Sequence, residues 1–352
     1  MMIIGCDFHP SWQQVSWLDT ETGETGERKL VQASGDAERF YRQLPAPALI
    51  GMEATGNCHW LVDLLAELGH ELWVGDAAQI RASCVRQQKT DRRDAEHIRI
   101  LLQEGRFPRI WMPSSEVRDL RQLLLHRYKL VTIRARVKNE LQHLCLNQGV
   151  QRQHKLWTKT GQQVLRELPL KPWAARRRED LLGLLIMLDQ QIDPLDRAVK
   201  EEAQQDKMAL LLQTQPGVGA VTALAYVLTM GDVSRFARGK QVASYLGLVP
   251  LEDSSGNRRR LGHITKQGSS MLRFLLVEAA QVTARNLPQW RSKYLHLMMR
   301  RGRKTAKVAM ARRLAVRLYW MMRQQWGYEQ WVKFGSHAGQ PGNRDGVQSD
   351  TE

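Results

Sequence analysis

Residues Met2–Asp7 form an apolar run closed by a carboxylate, and Gln13–Leu18 alternates polar with apolar positions. Arg28–Gln32 follows after a Thr20-Glu21-Thr22-Gly23 turn. Side chains of period two belong to strands, so three consecutive strands joined by hairpins are expected. Asp36 then caps a short helix ending near Leu44, Ala48–Met52 reads as a buried strand, and Cys58–Leu68 as a helix stopped by Gly69. Glu71–Val74 is a further strand, and Ala77–Val85 and Arg92–Gln103 carry helical spacing.

From Ser114 to Asn147 the apolar positions Val117, Leu120, Leu124, Val131, Val137, Leu141 and Leu144 fall on or near one helical stripe. Leu181, Leu185, Leu188, Ile192, Leu195 and Val199 then repeat at alternating spacings of four and three, a heptad seam that Pro194 should kink or break. A seam of this kind packs on another helix, either in an internal hairpin or in a second copy of the chain, and self-association as a dimer or tetramer is expected. Beyond Gln215, helical patterns cover Ala220–Met230, Lys240–Leu246, Ser269–Arg285, Pro288–Arg301 and Arg303–Gln325. The expected organisation is an α/β domain over 1–110 with a ribonuclease-H-like mixed sheet, and long coiled-coil-like helices over 111–212. A mainly α domain over 213–330 and a polar, disordered tail over 334–352 complete it.

Composition changes this picture mainly through charge. The 352 residues carry a net charge of +16, unevenly spread. Residues 1–75 hold 4 basic and 11 acidic side chains, whereas residues 256–325 hold 17 basic side chains and one acid, Glu278. An acidic front beside a basic back suits one domain that gathers carboxylates for metal and another that grips polyanions, with nucleic acid as the expected partner. No stretch of about 18 apolar residues occurs, and the N-terminus lacks a basic segment leading into an apolar core, so neither a membrane nor a secreted destination is expected. The four cysteines, Cys6, Cys58, Cys84 and Cys145, form no CxxC pair and no metal-type spacing with histidine, which fits core residues of a cytoplasmic protein.

Asp7 closes the first strand, Glu53 closes the fourth, and Asp91 and Asp94 share a helical face in Lys89-Thr90-Asp91-Arg92-Arg93-Asp94-Ala95. Strand ends on one sheet edge bring distant residues together, so the four acids can meet. A carboxylate cluster needs cations, and hard oxygen ligands select Mg²⁺ or Mn²⁺, the ions of phosphoryl transfer. An acid in the first turn of a helix also stabilises the helix dipole, which is the plainer reading of Asp91 alone.

In the basic half, Pro216-Gly217-Val218-Gly219 before a helix resembles the hairpin of helix-hairpin-helix modules, where Gly217 and Gly219 would let backbone N–H groups reach a phosphate. Downstream, Ser254-Ser255-Gly256-Asn257 leads directly into Arg258, Arg259 and Arg260, then Lys266 and Arg273. Such a loop either neutralises phosphate beside a serine hydroxyl or is a polar hairpin turn, and a serine needs an activating base or metal to act as a nucleophile.

Taken together, Gly5-Cys6-Asp7, Glu53-Ala54-Thr55-Gly56, Lys89 through Ala95, Pro216 through Gly219, and Ser255-Gly256 through Ile264-Thr265-Lys266-Gln267-Gly268 with Leu272-Arg273 resemble a family of insertion-sequence transposases. These pair a RuvC-like Asp-Glu-Asp-Asp domain with a C-terminal serine domain and are related to pilin-gene invertases. The resemblance implies that Asp7, Glu53, Asp91 and Asp94 bind Mg²⁺. It further implies that Ser255 attacks DNA to form a phosphoserine linkage, and that a bridge RNA encoded by the element specifies donor and target DNA. A metal-dependent nuclease or junction resolvase using water, and a non-catalytic nucleic-acid-binding protein, are the competing readings.

Overall fold

A computed structural model describes residues 1–84, 90–151, 156–253 and 260–334. The chain divides into two compact units, one through Ser115 and one from Glu116 onward.

The first unit contains, in order, β1 (Met2–Phe8), β2 (Trp12–Asp19), β3 (Thr25–Val31), α1 (Asp36–Gln43), β4 (Leu49–Glu53), α2 (His59–Glu67), β5 (Glu71–Gly75), α3 (Ala77–Ser83) and α4 (Asp91–Gln103). The sheet order is β3-β2-β1-β4-β5, with β1, β2 and β3 antiparallel and β1, β4 and β5 parallel. This is the mixed sheet that the element order predicts. Asp36 is the first residue of α1, not its cap; Gly35 takes that position at φ 74°, and Asp36 instead accepts a 2.6 Å hydrogen bond from Arg39.

Strand alternation assigns the two faces. Ile4, Cys6, Ile50, Met52 and Val74 point into a core completed by Tyr41 of α1 and by Leu61 and Leu65 of α2. Each large aliphatic side chain fully buried there contributes about 1.5–3 kcal/mol. Beneath it, Tyr41 and Cys6 both donate to the Gln13 side-chain oxygen, at 2.9 and 3.4 Å. Burial pushes the Cys6 thiol up to about 12, so it is an inert core group. The opposite face carries Ile3, Leu49 and Trp73, packed with Ile98, Leu101 and Leu102 of α4.

The second unit contains α5 (Ser115–Asn147), α6 (Lys159–Arg166), α7 (Pro172–Gln205), α8 (Lys207–Gln213), α9 (Ala220–Met230), α10 (Gly239–Tyr245), the strand pair β6 (Pro250–Glu252) and β7 (Leu261–Ile264), then α11 (Ser270–Asn286), α12 (Pro288–Arg301), α13 (Arg303–Gln324) and α14 (Tyr328–Phe334). The heptad seam is internal. Leu185, Leu188 and Ile192 of α7 are buried with Val137, Leu141 and Leu144 of α5, and the antiparallel pairing is fixed by Arg127–Asp196, Arg134–Asp189 (2.9 Å) and Arg177–Glu140 (2.9 Å). Of the two partners that the seam could take, a helix of the same chain is the one found. Pro194 does not break α7 either: Pro194 and Gln190, whose carbonyl loses its helical donor, both lie on the exposed side, where water can serve it. Among the described residues no helix is long and apolar enough to cross a membrane.

Ile192 is fully buried in this hairpin. Ile192→Ala should lower the stability of the helical unit by about 2–5 kcal/mol in denaturant titration. Sedimentation should show an unchanged assembly state; a shift in assembly with stability intact would return the seam to an interface between copies.

Candidate active site

The site is built on a close approach between α4 and β1. A Cβ added at Gly5 would lie 2.1 Å from the Ala95 carbonyl oxygen and 2.4 Å from the Arg99 backbone nitrogen. Only a residue without a side chain lets the helix backbone rest on the strand there. Two long-range contacts hold α4 along the sheet: Arg92 pairs with Glu27 of β3, and Arg99 donates to the Ser16 hydroxyl of β2 at 3.2 Å. The helix starts at Thr90, whose side chain accepts from the Arg93 N–H at 3.4 Å. Thr90 therefore supplies the side-chain cap, and the Asp91 carboxylate is not needed for it.

Asp7 follows Gly5 on the same strand face, two residues nearer the C-terminal end of β1. Its carboxylate is largely shielded, at 17% exposure, while that of Asp91 is half exposed at 50%. Burial raises the Asp7 pKa from its ordinary value. The neighbouring His9 opposes this, and the charges of Asp94 and Asp91 add to it. Asp94 is thus close enough for its charge to be felt at Asp7. Glu53 closes β4, and because Cys6 pairs with Met52 in the parallel register, Glu53 stands one step on, level with Asp7.

His9 was not anticipated. Its Nε2 lies 3.2 Å from Asp7 Oδ2 and 3.9 Å from Asp91 Oδ1, and its ring stacks on Trp12 with centroids 4.1 Å apart. Ligand atoms of Asp7, His9 and Asp91 all fall within 4.8 Å of one another. Two ligands of one small divalent ion at ordinary bond lengths stand about 3–4 Å apart, so this set fits such an ion with little closure. Glu53 and Asp94 lie outside that tightest group.

The serine loop is described only by its base. Asp253 donates its backbone N–H to the Arg260 carbonyl at 3.0 Å, and β6 pairs antiparallel with β7, Pro250 opposite Ile264 and Glu252 opposite Leu261. Ser254, Ser255, Gly256, Arg258 and Arg259 lie outside the described residues, as does Lys89. Arg260 and Lys266 are exposed, whereas Arg273 turns inward to the backbone carbonyls of Gln267 and Leu246, the latter at 3.4 Å. Gly217 is likewise engaged internally: at φ 94°, an added Cβ would come within 2.6 Å of Thr283 N and Oγ1. Thr283 donates to the Pro216 carbonyl at 2.8 Å, locking the hairpin onto α11. Gly219, the cap of α9, faces open space.

A model described as the transposase IS116/IS110/IS902 family matches residues 209–295, and a DEDD transposase model of the IS110 group matches residues 4–149. A probable family 20 transposase of Pseudomonas aeruginosa is 31% identical over 333 residues, covering 91% of this chain and 96% of its own length. The chain belongs to the IS110/IS116 family of transposases. The transposase of insertion sequence element IS1111A from Coxiella burnetii is 30% identical over 257 residues, 69% of each chain. That of IS1328 from Yersinia enterocolitica is 28% identical over 245 residues, 68% of this transposase and 72% of its own length. The match over residues 4–149 spans Asp7, Glu53, Asp91 and Asp94; that over 209–295 spans Gly217 and the serine loop.

Gly5→Ala should force α4 off β1. A loss of about 1–3 kcal/mol in stability is expected from overpacking, together with loss of Mn²⁺ binding as Asp91 and Asp94 move away from Asp7. Thermal unfolding and a Mn²⁺ titration check the two effects. Unaltered stability and metal affinity would mean that the close approach does not position the site.

Proposed function

We propose that this transposase cuts and rejoins DNA in the cytoplasm with Ser255 as the nucleophile and with Mg²⁺, or Mn²⁺, held by Asp7, Glu53, Asp91 and Asp94. The observation that carries this reading is the convergence of Asp7 and Asp91 at the end of β1, with the Asp94 charge felt there, in a chain of a transposase family. When bound, the ion would neutralise phosphate charge and stabilise oxygens that gain charge during transfer.

The chain's own groups do the rest. The Ser255 hydroxyl oxygen bonds to a backbone phosphorus, the bond from that phosphorus to a deoxyribose oxygen breaks, and the serine proton ends on the released sugar hydroxyl. Attack by the hydroxyl of another DNA end reverses the exchange and returns the proton to serine. One phosphoester bond is made for each one broken, so rejoining needs no outside source of energy. Arg258, Arg259 and Arg260 follow Ser255 in sequence and would neutralise the phosphate it attacks, with exposed Lys266 beyond them. Gly219, at the start of α9 with open space where a side chain would stand, would leave backbone N–H groups accessible to a second phosphate, while Gly217 shapes the hairpin. Arg273 would act through its hold on the Gln267 and Leu246 carbonyls, keeping the base of the serine loop in place.

Donor and target DNA are the substrates, and a bridge RNA is the guide this reading assigns; the basic stretch at 256–325 suits both polyanions. Two DNA sites must be held during exchange, so an assembly of two or four copies belongs to the reading, joined elsewhere than at the α5–α7 seam.

Ser255→Ala should eliminate the covalent DNA–protein adduct and all recombined product, while Asp7→Ala or Asp94→Ala should abolish strand exchange with nucleic-acid binding retained. Adduct mapping after incubation with element ends, guide RNA and Mg²⁺ checks each. Cleavage by Ser255→Ala without an adduct would assign the attack to water, as in a resolvase. An adduct at Ser254 would move the nucleophile by one residue. Binding should also weaken with salt at a log–log slope of about −0.9 per neutralised phosphate on duplex DNA; a flat dependence would contradict the assignment of the basic helices.

A further inference from the structure

We infer that His9 is itself a ligand of the metal ion, so that the site is a mixed nitrogen and oxygen site and prefers Mn²⁺ over Mg²⁺ more strongly than carboxylates alone would. This rests on the metal reading above and adds a donor to it.

The argument begins in the strand. Asp7 is the last residue but one of β1 and His9 the first residue after it, so the alternation of the strand carries both toward one face. The turn into β2 then fixes His9: its N–H donates to the Trp12 carbonyl at 2.9 Å, and its own carbonyl accepts from the Gln32 side chain at 2.6 Å. Stacking on Trp12, with ring planes 24° apart, sets the orientation of the imidazole. Lys29 lies over the Trp12 ring, 4.2 Å from its centroid, which places a second contact on the stacking partner. With backbone and ring both held, Nε2 is directed between Asp7 and Asp91, 3.2 and 3.9 Å from their nearest oxygens.

A histidine held only as a counter-charge to Asp7 would need one contact. Here the same nitrogen approaches carboxylates from two separate elements, β1 and α4, at separations that ligands of a single ion have. Donor chemistry supplies the consequence. Mg²⁺ takes oxygen ligands and keeps several waters, while Mn²⁺ lies on the series in which a nitrogen donor raises affinity. Replacing one water or carboxylate by imidazole therefore shifts selectivity toward Mn²⁺.

The test uses the full chain with Mn²⁺ as the probe. Electron spin-echo envelope modulation of bound Mn²⁺ should show coupling to an imidazole ¹⁴N in the wild type and lose it in His9→Ala. Calorimetric titration should show at least about a tenfold weakening for Mn²⁺ in His9→Ala, with a smaller change for Mg²⁺. His9→Asp should restore Mn²⁺ binding without the nitrogen signal and narrow the Mn²⁺ preference. Thermal unfolding in chelator, unchanged in His9→Ala, separates ligand loss from misfolding. Mn²⁺ that binds the wild type, is lost in Asp7→Asn and carries no ¹⁴N coupling would overturn the role of His9 and leave the carboxylate site standing. A ¹⁴N signal that survives in His9→Ala would also overturn it. Absence of any Mn²⁺ binding to the wild type would remove both this inference and the metal site beneath it.

Discussion

The contact on which the first unit depends is the seat of α4 on β1 at Gly5. The Ala95 carbonyl oxygen stands 2.1 Å from where a Cβ would be, so helix and strand meet backbone to backbone. That approach does two things at once. It lets Ile98, Leu101 and Leu102 close over Ile3 and Leu49, which supplies the packing energy, and it brings the first turn of α4 over the end of β1, where Asp7 waits. Helix docking and carboxylate clustering therefore share one geometric condition. The mutual repulsion of Asp7, Asp91 and Asp94 opposes the same docking, and a cation at the site would relieve it.

The apolar seat outweighs this repulsion for physical reasons. Asp91 is half exposed, so much of its field is screened by water, and the nearby imidazole of His9 lowers the cost of an ionised Asp7. The side chains buried under α4 are each worth more than a screened pair of like charges. Arg92–Glu27 and Arg99–Ser16 add direction more than energy, since one ties the helix to β3 and the other to β2.

Much of this was legible in the sequence. Apolar runs at Met2–Asp7 and Ala48–Met52 and the alternation over Gln13–Leu18 gave three of the strands, and a carboxylate closing each of the two apolar runs placed Asp7 and Glu53 at one sheet edge; the observed β1–β4 register brings them level. What escaped has a common cause, which is that local patterns do not say what crosses a residue in space. Gly5 looks like any small residue in an apolar strand until a helix backbone lies on it. Gly217 carries a motif associated with phosphate approach, yet Thr283 of α11 occupies the place its side chain would take. Arg273 adds to the basic count while its guanidinium serves two backbone carbonyls. The heptad seam identified a partner helix but held no mark of whether that helix was in the same chain. His9 had one usable signal, its two-residue spacing from Asp7, but only the β1–β2 turn and the position of Asp91 make that spacing meaningful.

The two halves of the chemistry are carried by different kinds of scaffold. The acids stand on a sheet edge and a helix start, both fixed by buried packing, so their separations change little without unfolding the unit. Ser255 belongs to the segment between Asp253 and Arg260, whose backbone groups pair at the end of a two-stranded ribbon. A two-stranded ribbon this short is held at Asp253 and Arg260 through few contacts, whereas the carboxylates rest on a packed sheet and helix. In the proposed reaction the serine moves from hydroxyl to phosphoester and back, while charge at the acids' end has to be met in a fixed place. A stiff site for charge fits that requirement, and the packing constraint on Gly5 supplies the stiffness.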